Sequence, residues 1–209
     1  MEVLGMDVLE LAAYRREVAE AYAAARAAGA EVEGWRAWRT RRDRLIGTSA
    51  ESPLPADRRS PSWRTPFFEH DPTWRLAGVL EPVADPVGFD IPHSGSGATR
   101  FVEAGVLRAV RGGVAIELTA FWLDAYGGGI FVPFRDGTCG AETYGGGRYL
   151  LDTVKGADLG VDAEGRVVMD FNYAYHPSCA WDPSWSCPLA PPSNVVGVRV
   201  EAGEQLPVG

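Results

Sequence analysis

A chain of 209 residues, 46% hydrophobic and 23% charged, is long enough to bury a sizeable core and suits one domain, or one domain with an appended arm. A net charge of -8 at pH 7 gives it no general attraction to nucleic acid or anionic membrane surfaces. The 25 glycines and 15 prolines are interleaved with apolar runs, a pattern of many short strands joined by turns rather than of disorder.

The N-terminal stretch MEVLGMDVLELAAYRREV is acidic and lacks the basic start, apolar run and small-residue cleavage site of a secretory leader. No segment approaches the apolar length of a bilayer span. A cytoplasmic location is expected, without nucleic-acid or membrane partners. The three cysteines, Cys139, Cys179 and Cys187, are then expected to be reduced, with Cys179 and Cys187 forming no essential disulfide.

From Asp7 to about Ile46 the pattern is helical. Asp7 suits an N-cap, and Leu11, Tyr14, Val18, Ala21 and Tyr22 recur at spacings of three and four. Gly29 and Gly34 predict a break near them. The second piece, WRAWRTRRDRLIG, puts Trp35, Trp38, Arg42 and Leu45 on one face, while Arg36, Arg39, Arg41 and Arg44 spread over the rest. This reads as a two-Trp face docked on the body with solvated arginines outside; an anion-binding or partner-binding patch is the alternative.

Residues 47–75 form a Pro-, Ser- and Arg-rich connector, in which Trp63, Phe67, Phe68 and Trp74 predict packing by its own aromatics. From Arg75 onward the signal is β. Candidate strands are RLAGVLEP, VGFDI, TRFVEAG, VLRAVR, VAIELTAFWL, IFVPFRD, RYLLDT, RVVMDFNY and NVVGVRVEA, separated by turn signals such as RGG, YGGG and AEG. The expected fold is mainly β, a barrel-like antiparallel core of eight or nine short strands with an N-terminal helical arm. The organisation is an arm over 1–46, a connector over 47–75 and a core over 76–209.

Residues 170–188, DFNYAYHPSCAWDPSWSCP, suit neither a strand nor a helix. In RVVMDFNY, period-two alternation puts Arg166, Val168, Asp170 and Asn172 on one face. That face is either solvated or lines a polar cavity, which Arg135 or Arg148 is expected to share. The GGGR segment reads as a turn requiring positive φ; without GxxxxGK[ST] and a following helix, it is not a phosphate loop.

The stretches PFRDGTCGAETYGGGRYL, DFNYAYHPSCAWD, CPLAPPSN and the final EAGE resemble a bacterial family known only as domain of unknown function 1684. The upstream SPLP and PFF...DPTWRLAG segments are similar to its longer form, so the resemblance covers roughly residues 35–204. Its polar motif residues fall on Arg135, Asp136, Glu142, Tyr144, Arg148, Asp170, Asn172, Tyr175 and Cys179. The family pattern carries Ser in place of Cys139 and Asn in place of His176, so a mechanism requiring either residue would not extend across the family. The resemblance implies no particular activity.

Several chemistries fit these residue types. His176 and Cys179 with Cys187 invite a metal, yet zinc wants four ligands in paired spacings and no second pair follows, so neither a metal nor a cofactor is expected. A Cys179 nucleophile needs a base that meets it in space. Glu142 and Asp170 are the candidate catalytic acid and base, with Arg135 or Arg148 holding one ionised. Arg135, Tyr144, Arg148, Asn172, Tyr175 and Cys179 are candidate ligand-binding residues. The structural alternative is an Arg–carboxylate network that ties strand ends together. The expected function is binding of a small molecule in a polar pocket. The alternatives are an enzyme using that pocket for acid–base or hydrolytic chemistry, and an interaction module built on the Arg–Trp helix. The oligomeric state is left open, a homodimer included.

Overall fold

The computed structural model describes residues 2–3 and 6–207. Two short strands, β1 (Glu2–Val3) and β2 (Met6–Asp7), pair antiparallel ahead of the first helix, α1 (Val8–Ala28). The Asp7 carboxylate accepts from the N–H groups of Leu9 and Glu10 at 2.9 and 3.2 Å, satisfying donors that the first turn leaves unpaired. The helix ends at Gly29, whose φ of +66° suits glycine and few other residues. The second helix, α2 (Val32–Thr48), follows and includes Gly34.

Trp35 and Trp38 on α2 are buried, as their shared face predicts. The Trp38 ring lies 4.8 Å from Tyr173, 5.5 Å from Tyr22 and 5.8 Å from Phe67, centroid to centroid. Burying each of these aromatics removes apolar surface from water, at about 1.5–3 kcal/mol per large side chain. Arg36, Arg41 and Arg44 are exposed, while Arg39 stacks over Trp35 and Phe67. The connector is pinned down by the burial of Leu54, Thr65 and Trp74, and by Thr65 N–H donating to Asp43 Oδ1 at 2.9 Å.

The body is one antiparallel sheet of seven strands: β3 (Arg75–Pro82), β4 (Gly88–Pro92), β5 (Ala98–Arg111), β6 (Val114–Leu123), β7 (Ile130–Phe134), β8 (Arg148–Asp152) and β9 (Val167–Asp170). The order is β8-β7-β6-β5-β3-β9, and β4 also pairs with β5. The sheet curls into a half-barrel. Its two ends meet where Tyr149 of β8 and Tyr175, beyond β9, exchange backbone hydrogen bonds of 2.8 and 3.1 Å. One core cluster fills the curl with Leu107, Leu118, Val132, Phe134, Leu150, Met169 and Phe171. A second joins the helices to the sheet through Tyr22, Trp35, Trp38, Phe101, Phe121, Phe131 and Tyr149.

Two strand readings need correction. TRFVEAG and VLRAVR are one strand, β5, which continues through a register shift between Glu103 and Gly105. NVVGVRVEA is no strand: a 3₁₀ turn at Pro192–Asn194 leads into chain held by single bridges, Arg135 to Val195 and Phe67 to Glu204.

Candidate functional site

The sequence-selected residues separate into several groups. Asp170 ends β9 and is buried, and its carboxylate pairs with Arg75 Nη1 at 2.9 Å. Arg75 lies directly opposite Asp170 in the β3–β9 register. Asn172 continues the same network: its Nδ2 donates to Asp170 Oδ1 at 2.8 Å and to the Asp71 carbonyl at 2.9 Å, and its Oδ1 accepts from Asp71 N–H at 3.0 Å. The arginine expected beside Asp170, Arg135 or Arg148, is therefore replaced by Arg75. The reason is a cross-strand contact spanning 95 positions.

Arg148 is fully buried and braces a different region. It pairs with Asp136 at 3.2 Å and donates to the carbonyls of Val200, Ala202 and Glu204. Burial pulls its pKa down, and the adjacent Asp136 carboxylate opposes that shift. The Arg135 side chain is exposed, and its backbone carries the contact: its N–H donates to Asn194 O at 2.9 Å and its carbonyl accepts from Val196 N–H at 2.7 Å. Glu142 is half-buried and pairs with Arg199 at 2.6 Å. Glu142 and Asp170 share no hydrogen-bond or ion-pair partner among the described residues: Asp170 pairs with Arg75 and Glu142 with Arg199.

Tyr144 and Cys179 do meet. The Cys179 Sγ lies 3.7 Å from Tyr144 Oη, and Cys179 N–H donates to Cys187 Sγ at 3.4 Å. Burial and contact with Cys179 push the Tyr144 phenol up to about 12. His176 is buried beside them, its Nε2 accepting from Tyr144 N–H at 3.2 Å.

Next to this cluster a cavity of about 320 Å³ opens between α1 and the segment from Tyr175 to Pro188. Leu11, Val18 and Pro53 supply apolar wall, and Tyr14, Tyr22, Tyr175 and Trp185 supply aromatic wall. Arg42 contributes a partly buried cation; its guanidinium lies 4.9 Å above the Tyr175 ring and its Nε binds the Glu204 carboxylate. Lys155 lines the cavity and pairs with Asp152 at 3.4 Å, while Tyr175 Oη donates to Asp152 at 3.3 Å. Burial raises the phenol pKa values of Tyr14, Tyr22 and Tyr175, so all three stay protonated donors at neutral pH. Two wall residues carry buried polar atoms with no hydrogen-bond partner among the described residues: Tyr22 Oη and His176 Nδ1.

Of the candidate catalytic and ligand-binding residues, Tyr175 alone lines this cavity, joined by His176 and Cys187, which the sequence raised only as metal ligands. Tyr14, Tyr22, Arg42 and Glu204 went unselected. Their signal was two tyrosines within an α1 stripe otherwise built of Leu, Val and Ala, and an arginine on the Trp face of α2. Among the described residues no group of three or more His, Cys, Asp or Glu side chains could hold a metal ion, and no helix is long and apolar enough to cross a membrane.

The fold and motifs have known counterparts. An uncharacterised protein of Haloarcula marismortui, known from its solution NMR structure, is 32% identical; the match covers 84% of this chain and 96% of that one, with a TM-score of 0.60. No curated protein matches. The family described as "Protein of unknown function (DUF1684)" matches residues 63–205, and over that span lie the half-barrel, the Asp136–Arg148 brace and the 170–188 segment. The chain belongs to this family.

Proposed function

We propose that the protein binds a small molecule in the cavity between α1 and the Tyr175–Pro188 segment. The observation that carries this reading is the pairing of a mostly apolar, aromatic-walled cavity of about 320 Å³ with polar groups left without partners. Buried polar atoms nearly always find a hydrogen-bond partner, and among the described residues Tyr22 Oη has none, while His176 Nδ1 has only the Glu204 carboxylate, at 3.7 Å, beyond hydrogen-bond reach. A volume of this size suits a compact ligand, with orientation fixed by a few polar groups. Arg42, Tyr14 and Lys155 supply donors, so the cavity favours a ligand rich in acceptors. The odd cysteine count supports a reducing, cytoplasmic setting.

The test is a thermal-shift screen against a library of small polar-aromatic compounds, run on the wild type and on Val18→Trp, which fills the cavity from α1. A compound that binds the native state raises the melting temperature by mass action. The expected result is a compound whose shift disappears in Val18→Trp. Compounds that shift both proteins equally would remove the cavity as the binding site.

A further inference from the structure

We propose that Cys179 and Cys187 form a dithiol that reduces small hydroperoxides and closes to a reversible disulfide. Both cysteines belong to one loop stiffened by Pro177, Pro183 and Pro188, and both are free and buried. Cys187 Sγ lies 3.4 Å from the backbone nitrogen of Cys179, which sets the two thiols side by side. Little loop movement is therefore needed to bring the sulfurs to bonding distance. Cys187 and Ser178, next in sequence to Cys179, line the cavity, so a small oxidant that enters it comes up against the loop that carries the pair. With each cysteine only 7% exposed, a bulky protein disulfide has no comparable access. The inference does not depend on what else the cavity holds.

The two sulfurs have different roles. The adjacent Cys187 thiol, with help from Ser94 and Tyr144, outweighs burial and lowers Cys179 to about 6. The same contact with Cys179, with burial added, pushes Cys187 up, so it keeps its proton. At neutral pH one sulfur of the pair is therefore a nucleophilic thiolate and the other a thiol. The Cys179 thiolate attacks the terminal peroxide oxygen, the O–O bond breaks, and the departing alkoxide takes a proton from solvent to leave as the alcohol. Cys179 is then a sulfenic acid. Cys187 sulfur displaces its hydroxyl, which leaves as water with the Cys187 proton, and the S–S bond forms. Two thiols lose two electrons, and the peroxide gains them as alcohol and water. An external dithiol returns the pair to its starting state. Cys139 takes no part: it sits in a separate turn, its sulfur against Asp136 and Thr143.

Stoichiometric hydrogen peroxide at neutral pH, followed by alkylation under denaturing conditions and peptide mapping, tests this on the wild-type protein. The expected product is a single Cys179–Cys187 disulfide, with Cys139 alkylated and both thiols recovered by dithiothreitol. In Cys187→Ser, dimedone should label Cys179 as its sulfenic acid. The wild-type rate of peroxide consumption should fall about tenfold between neutral pH and one unit below the Cys179 value of about 6. Recovery of Cys179 and Cys187 as alkylated thiols while peroxide is consumed would overturn the proposal. So would oxidation confined to Cys139, and neither outcome requires a variant to fold.

Discussion

Arg42 on α2 binds the carboxylate of Glu204, 162 positions later in the chain, and the glutamate side chain is wholly buried. The other oxygen of that carboxylate accepts from His176 N–H at 2.7 Å. One ion pair therefore ties three segments together: the helical arm, the 170–188 loop and the C-terminal stretch.

Arg42→Met should be strongly destabilising because it leaves Glu204 buried without its cation. Breaking a buried pair in this way costs about 3–5 kcal/mol. Urea unfolding measures the loss, and Arg42→Met with Glu204→Gln should recover part of it, since the second change removes the stranded charge. A single-variant loss below about 1 kcal/mol would mean that water reaches Glu204 once the arginine is gone.

Arg148→Met should loosen the C-terminal stretch specifically. Arg148 holds the carbonyls of Val200, Ala202 and Glu204, and its partner Asp136 accepts from Val200 N–H at 2.7 Å. Removing the guanidinium leaves Asp136 buried and those carbonyls without a donor. Hydrogen exchange should accelerate at the Val200 and Glu204 amides before it does in β5 and β6. Uniform acceleration across the sheet would show that the brace supports the whole fold rather than this segment.

The β core was legible because its signal is local. RLAGVLEP and VAIELTAFWL coincide with β3 and β6, where alternation and flanking turns agree. Gly105 read as a strand end, but β5 runs through it: a Cβ there would lie 2.5 Å from the Glu81 carbonyl, so the glycine admits a neighbouring strand. NVVGVRVEA misled because Val196, Val200 and Ala202 do alternate into the core. Its backbone groups, however, are met by the Arg148 and Asp136 side chains and by loop carbonyls instead of a strand partner. Contacts between distant segments decided the site. Arg75 facing Asp170 and α1 covering the cavity both depend on tertiary placement, and period-two or period-3.6 patterns carry no record of it.

Glu142→Gln and Asp170→Asn should separate cleanly. Glu142 pairs with Arg199 on the surface, where side-chain entropy and screening offset the attraction. Its substitution should leave the melting temperature unchanged. Asp170 is buried against Arg75 and Asn172, so Asp170→Asn should cost about 2 kcal/mol or more and expose the segment around Asp71 to protease. A melting temperature lowered by Glu142→Gln to the same extent would give that surface pair a structural weight its exposure argues against.

His176 should make stability fall as the solution is acidified from neutral pH. Its Nε2 accepts the Tyr144 N–H, which leaves the ring proton on Nδ1, facing Glu204 Oε2 at 3.7 Å. Burial, then the charges of Arg148 and Arg42, hold its pKa well below the ordinary value. In the unfolded chain a histidine titrates near about 6.5. Below that pH the unfolded state takes up a proton that the folded state refuses, so stability declines with a slope of up to about 1.36 kcal/mol per pH unit. The Cys179 thiolate adds a dependence in the same direction between about 6 and about 9, so wild-type data alone would mix the two effects. His176→Asn separates them, because Asn can still accept from Tyr144 N–H through its amide oxygen but cannot titrate. The wild-type minus variant difference in unfolding free energy should be flat above about pH 6.5 and should decrease steadily toward about pH 5. Parallel curves over that window would mean that the folded protein admits the proton at His176, and that the ring is less isolated than its burial indicates.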